Sequence, residues 1–106
     1  MTAPVASSTK IDILSLDSAR LIARFFQVLS DPTRVRIIKA LAEGEWCVTD
    51  LVDALKMDQP AISHQLKYLR KLGMVSYRKK GRHVYYILSD DQLRDVLFNT
   101  MELAVD

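Results

Sequence analysis

The sequence has few of the residues that staple a fold or carry a cofactor. One cysteine, Cys47, and two histidines, His64 and His83, occur in 106 residues. A lone cysteine closes no intrachain disulfide, and these three donors fall short of a closed structural zinc site. Glycine and proline occur three times each, too seldom for a fibrous or low-complexity chain. No apolar run approaches the roughly 18 residues that a membrane span needs. The opening MTAPVASSTK lacks the charged start and apolar core of a secretion signal, so a cytoplasmic location without membrane contact is expected. There is no glycine-rich phosphate loop. Neither Cys47 with a distant histidine nor the scattered aspartates form a nucleophile or acid–base arrangement. The chain reads as a non-enzyme, with no catalytic residues, no metal site and no cofactor.

What is present suits one ordered domain. Hydrophobic residues make up 49% of the chain and charged residues 26%, enough for a modest core. A domain this small commonly gains further apolar burial by pairing with a copy of itself. The net charge is only +2, but it is unevenly spread. Between Gln59 and Leu88 lie Lys67, Arg70, Lys71, Arg78, Lys79, Lys80 and Arg82 with no acid, a block of +7, while the remainder carries −5. Such a block is either solvated surface or the footprint of a polyanion partner, nucleic acid first.

Residues 1–12 read as a flexible arm, and residues 13–106 as the folded domain. Leu14, Ile22, Phe25, Phe26 and Leu29 recur near helical spacing and predict a first helix. Asp31-Pro32 starts a second, with Asp31 as cap and Pro32 where its missing N–H costs least; Val35, Ile38 and Leu41 follow, and Gly44 ends it. A short third helix runs from Val48 or Thr49 to Leu55. Lys56-Met57-Asp58 turns the chain, and Asp58 caps a fourth helix with the inner stripe Ile62, Leu66, Leu69 and Leu72, ended by Gly73. Two helices so joined suit either a helix-turn-helix or a plain hairpin. The flanks favour the former: Met74–Lys80 and His83–Leu88 have strand composition around a Lys80-Gly81-Arg82 turn. Ser89 and Gln92 form a capping box for a last helix that reaches Ala104. The expected fold is mainly α with a two-stranded β wing, in the order helix-helix-helix-helix-hairpin-helix.

With the leucine stripe inward, the fourth helix turns Gln59, Ser63, His64, Lys67 and Lys71 outward. A helix fits the major groove and carries such side chains to base edges. Gln59 suits adenine, Ser63 several bases, and His64 a base edge or a phosphate. Lys67 and Lys71 suit phosphate, which orients the protein without reading sequence. Arg78, Lys80 and Arg82 cluster on the hairpin, and Arg82, near its tip, suits an adjacent minor groove. Tyr77, Tyr85 and Tyr86 fit packing against the helices better than base stacking. Trp46 is expected to anchor the start of the third helix.

The chain resembles the ArsR/SmtB family of winged helix-turn-helix repressors over roughly residues 16–104. The matching pieces are Leu29-Ser30-Asp31-Pro32-Thr33-Arg34 with Ile37, Glu45-Trp46-Cys47-Val48-Thr49-Asp50-Leu51, the run from Gln59 to Arg70, and Gly73 to Arg82 leading into Tyr85-Tyr86. The resemblance implies a homodimer built through the first and last helices. It also implies double-stranded DNA with an imperfect palindrome as partner, and release of the operator by an inducer. In one sensor site of the family, Cys47 matches a ligand position and Asp50 matches another, but Thr49 stands where some members have a second cysteine. In the other, Gln92 and Leu103 stand at histidine positions, so that site reads as absent. Three readings of Cys47 stay open: a half-buried apolar residue near the dimer core, a redox switch or intersubunit link, and a metal ligand with unusual partners. A non-specific architectural DNA-binding protein is the alternative function, with a repressor controlled by redox chemistry at Cys47 beside it.

Overall fold

The computed structural model describes residues 12–104. Five helices and a small sheet follow in the order α1 Leu16–Val28, α2 Pro32–Ala42, β1 Trp46–Cys47, α3 Val48–Leu55, α4 Gln59–Lys71, β2 Val75–Lys80, β3 His83–Leu88 and α5 Asp91–Met101, with a 3-10 turn at Glu102–Ala104. The arm expected over residues 1–12 lies outside the described residues, apart from Asp12. The expected order of helices and hairpin is present, and a third strand joins it: β1 pairs antiparallel with β3, giving the strand order β1-β3-β2.

Short polar side chains set the helix starts. The carboxylates of Asp31, Asp58 and Asp90 accept from the backbone N–H groups of Arg34 (3.0 Å), Ala61 (3.0 Å) and Leu93 (2.9 Å), satisfying donors that a helix leaves free. Ser15 does the same for α1 through the Ser18 N–H. The last helix corrects the expected capping box: Asp90, not Ser89, is the cap. Ser89 instead donates its hydroxyl to the Gly73 carbonyl, and its N–H to the Met74 carbonyl, closing the base of the hairpin.

Helix α4 ends in a two-bond C-terminal motif. The Gly73 N–H reaches the Arg70 carbonyl and the Met74 N–H reaches the Leu69 carbonyl. Gly73 is left-handed at φ 74°, a conformation that costs glycine nothing. Met74 and Leu69 are both buried against one core. The turn between α3 and α4 passes through Lys56, also left-handed at φ 55°.

Phe25, Val28, Ile37, Ile38, Leu41, Leu51, Ile62, Leu66, Leu69, Met74, Val75, Leu88, Leu93 and Leu97 form the core. Every helix and both wing strands contribute, so α3, α4 and the hairpin share one interior with the terminal helices. Leu14 of the expected first-helix face precedes α1 and is exposed, as is Phe26.

The corrected cap yields a measurable contrast. Asp90→Ala should cost about 1 kcal/mol in urea unfolding, the usual worth of an N-cap. Ser89→Ala should cost clearly less, because its hydroxyl bonds an exposed carbonyl that water can serve. Equal losses, or the reverse order, would restore Ser89 as the cap.

Candidate nucleic-acid interface

Burial decides which way α4 faces. Ile62, Leu66 and Leu69 are at most 1% exposed, which fixes the roll of the helix. At about 100° per residue, Gln59, Ser63, Lys67, Lys71 and His64 then fall within an arc of roughly 140° on another side. Gln59, His64, Lys67 and Lys71 are exposed, and Ser63 is half-buried. His64, Lys67 and Lys71 line one shallow surface depression with Tyr68. The expected reading face is therefore brought together, free of carboxylates along α4 itself.

The helix is tied to its surroundings at its C-terminal end and along its length. Arg24 of α1 donates to the Leu72 carbonyl at 2.8 Å, so a cation sits where the helix dipole is negative. Gln65 donates to the Asp31 cap of α2 at 3.4 Å. Arg34 donates to the carbonyls of Val28 and Gln27 at the end of α1 and lies 4.7 Å over the Tyr68 ring.

The wing is built less simply than its sequence suggests. Arg82 is exposed in the Gly81-Arg82 turn, where Gly81 takes φ 62°. Arg70 stacks on Tyr77 at 4.2 Å, and Tyr77 packs on Tyr86 with centroids 5.8 Å apart. Arg78 and Lys80 both pair with Glu45, the Lys80 Nζ lying 3.1 Å from Oε2. Lys80 also lies 5.3 Å over the Tyr85 ring. The Lys80 hydrogen bond first, helped by the charges of Lys80 and Arg78 against some desolvation, holds the Glu45 carboxyl below its ordinary 4.5. Glu45 is thus part of the wing's electrostatics, although it precedes α3. Nothing in the local run of charge points to it; the β1–β3 pairing brings it there.

Trp46 ties the segment that leads into α3 to α2 and to β3. Its indole N–H donates to the Ala40 carbonyl of α2 at 2.9 Å, and its backbone pairs with Tyr86. The ring also lines an open cleft of about 430 Å³ with Val35, Leu55, Leu97 and Met101. Cys47 pairs with Tyr85 and is 7% exposed, more buried than the half-buried site expected. It occupies the cap position of α3 without a side-chain cap bond. Asp50 is exposed in the first turn of α3, where a carboxylate suits the helix dipole. Among the described residues, no group of three or more His, Cys, Asp or Glu side chains converges to hold a metal.

Two helices joined by a tight turn, the second with a polar outward face and followed by a hairpin, define a winged helix-turn-helix. Comparison with known proteins agrees. The family described as bacterial regulatory protein, arsR family, matches residues 31–77. A transcriptional repressor SmtB homologue of Synechocystis sp. is 46% identical over 80% of this chain and 64% of its own length. An uncharacterised helix-turn-helix transcriptional regulator of Methanocaldococcus jannaschii is 43% identical over 71% of this chain and 85% of its own. The crystal structure of the antimony-specific transcriptional repressor AntR superposes with a TM-score of 0.82 at 28% identity, over 98% of this chain and 95% of that one. The chain belongs to the ArsR family, whose members are DNA-binding transcriptional regulators and not enzymes. It spans 64% of the length of the Synechocystis relative.

The wing pairing has a pH signature. A carboxyl lowered by its partners keeps its contribution above its unfolded value and loses it as pH falls through the folded one. The Glu45 carboxyl should therefore titrate below 4.5 when followed by carbon-detected NMR. The doubly substituted Arg78→Gln/Lys80→Gln chain should move its midpoint upward. A midpoint at or above 4.5 in the unsubstituted protein would contradict the pairing.

Proposed function

We propose that this chain works as a homodimeric repressor in the cytoplasm, binding a double-stranded imperfect palindrome until an effector releases it. The observation that carries this reading is the polar arc of α4, held outward by the burial of Ile62, Leu66 and Leu69. In it Gln59, Ser63 and His64 read base edges, while Lys67 and Lys71 bind phosphates. Arg82 enters the neighbouring minor groove from the wing tip, and Arg78 and Lys80 contribute charge beside it. Relatives named as transcriptional repressors support the same direction.

Residues 13–106 supply both DNA binding and dimerisation. Leu21, Ile22 and Phe26 of α1 and Phe98 of α5 are exposed, and Leu21, Ile22, Phe25 and Phe26 line a groove whose other wall is Gln92, Asp95 and Val96 of α5. Apolar surface of this kind favours a self-complementary contact. A two-fold pair would set two α4 helices into successive major grooves, about 34–36 Å apart. No helix among the described residues is long and apolar enough to cross a membrane. The effector is not identified. Cys47 and Asp50 are the residues of this chain that a metal or redox signal would engage, and Cys47 alone offers a thiol.

Fluorescence anisotropy with DNA from upstream of the chain's own gene, against an unrelated duplex, tests the function. A selective complex is expected. Gln59→Ala should cost about 1–3 kcal/mol on the specific site and little on the unrelated duplex. Lys67→Gln should weaken both and reduce the salt slope by about 0.9. Equal affinity for all duplexes would make the protein an architectural DNA binder instead.

Sedimentation equilibrium tests the pairing. The unsubstituted chain should run at twice the chain mass, and Phe26→Glu should shift it to the single-chain mass with the fold retained. A monomeric unsubstituted chain at the concentrations of DNA binding would overturn the dimer.

A further inference from the structure

We propose that Glu45 is an internal counter-anion of the wing, occupying Arg78 and Lys80 in competition with DNA phosphate and so limiting the wing's sequence-independent pull. This rests on the DNA-binding reading above and adds a residue that tunes it. Both cations point their charge at one carboxylate. All three groups remain open to solvent: the side chains are 59% exposed for Arg78, 51% for Lys80 and 25% for Glu45. Exposed pairs like these contribute little to stability, yet they alter what an approaching polyanion meets.

Geometry keeps the carboxylate in place. Glu45 directly precedes β1, which is locked to β3 by the pairs Trp46 with Tyr86 and Cys47 with Tyr85. The Trp46 indole N–H is tied to the Ala40 carbonyl of α2. Arg78 and Lys80 stand two residues apart on β2 and so share one face of the sheet, from which both reach Glu45. The backbone that carries the carboxylate is therefore held by core-anchored neighbours, and the cations reach the carboxylate on long side chains.

Phosphate and carboxylate carry comparable charge, so a phosphate must either displace Glu45 or share the cations with it. With the carboxylate present, the trio carries +1; without it, +2. One more uncompensated cation at the DNA should steepen the dependence of log affinity on log salt by about 0.9. The other two wing cations, Lys79 and Arg82, pair with no carboxylate among the described residues and supply a constant background. Glu45 is thus a positioning residue, acting through Arg78 and Lys80 without touching DNA.

Glu45→Gln keeps the size of the side chain and removes its charge. Binding of the full chain to an unrelated duplex, followed by anisotropy across a salt series, should be tighter for E45Q at low salt. Between 50 and 200 mM salt, E45Q should lose about three- to fourfold more affinity than the unsubstituted chain, as the steeper slope requires. In an Arg78→Gln/Lys80→Gln background, E45Q should leave the slope unchanged. Equal slopes in the first comparison, or weaker binding by E45Q, would overturn the inference while leaving DNA binding intact. The same steepening in the doubly substituted background would also overturn it, because Glu45 would then act as a distant charge. Failure of the unsubstituted chain to bind any duplex would overturn the DNA-binding reading, and this inference with it.

Discussion

The burial of one face of α4 is the constraint on which the rest of the arrangement depends. Ile62, Leu66 and Leu69 are at most 1% exposed, and a roll of a single residue, about 100°, would bring polar side chains into a packed core. Such a roll would leave Gln65, Lys67 or Arg70 without water, at a cost comparable to the net stability of a small domain. The direction of the polar arc proposed to meet DNA is thus set by hydrophobic packing on another side of the helix. The polar residues of that arc carry none of the responsibility for their own placement.

Polar contacts then tie this rigid helix to its surroundings. Arg24 places a guanidinium on the end of α4 and Arg34 places one on the end of α1, each bonding carbonyls that a helix leaves unsatisfied. Arg24 belongs to α1, an element with an exposed apolar face, so one hydrogen bond links that element to the end of α4. The core supplies a second link, since Leu93 and Leu97 of α5 belong to the same buried cluster as Leu66 and Leu69. The surfaces proposed for pairing and for DNA are therefore joined by one continuous interior.

Much of this was legible in the sequence because its signals are local. Asp31-Pro32, Asp58 and Gly73 mark helix ends through chemistry that acts within four residues, and the structure uses each of them so. The stripe Ile62, Leu66 and Leu69 follows from the helical period alone. The misreading at Ser89 is also local: Ser89 and Asp90 are both good caps, and a capping-box pattern favoured the first. Asp90 caps α5 while Ser89 bonds Gly73 and Met74 at the base of the hairpin, a tertiary pairing that no local rule contains. Likewise, β1 has two residues, too few for an alternation pattern. Its pairing with β3, almost forty residues later in the chain, had no signal to announce it.

The same gap between local and tertiary information governs the charge of the interface. Counting along the chain gives an uninterrupted basic block, because Glu45 lies well before its first residue. Counting in space divides that block in two. On α4, His64, Lys67 and Lys71 share a depression that no carboxylate lines; on the wing, Glu45 is held against Arg78 and Lys80. Discrimination depends on the difference between specific and non-specific affinity, not on either alone. Charge on a wing strand adds to both equally, whereas groups on α4 that meet base edges add to only one. Partial neutralisation of the wing beside an unneutralised α4 therefore moves the balance of interactions toward the helix whose direction the core has already fixed.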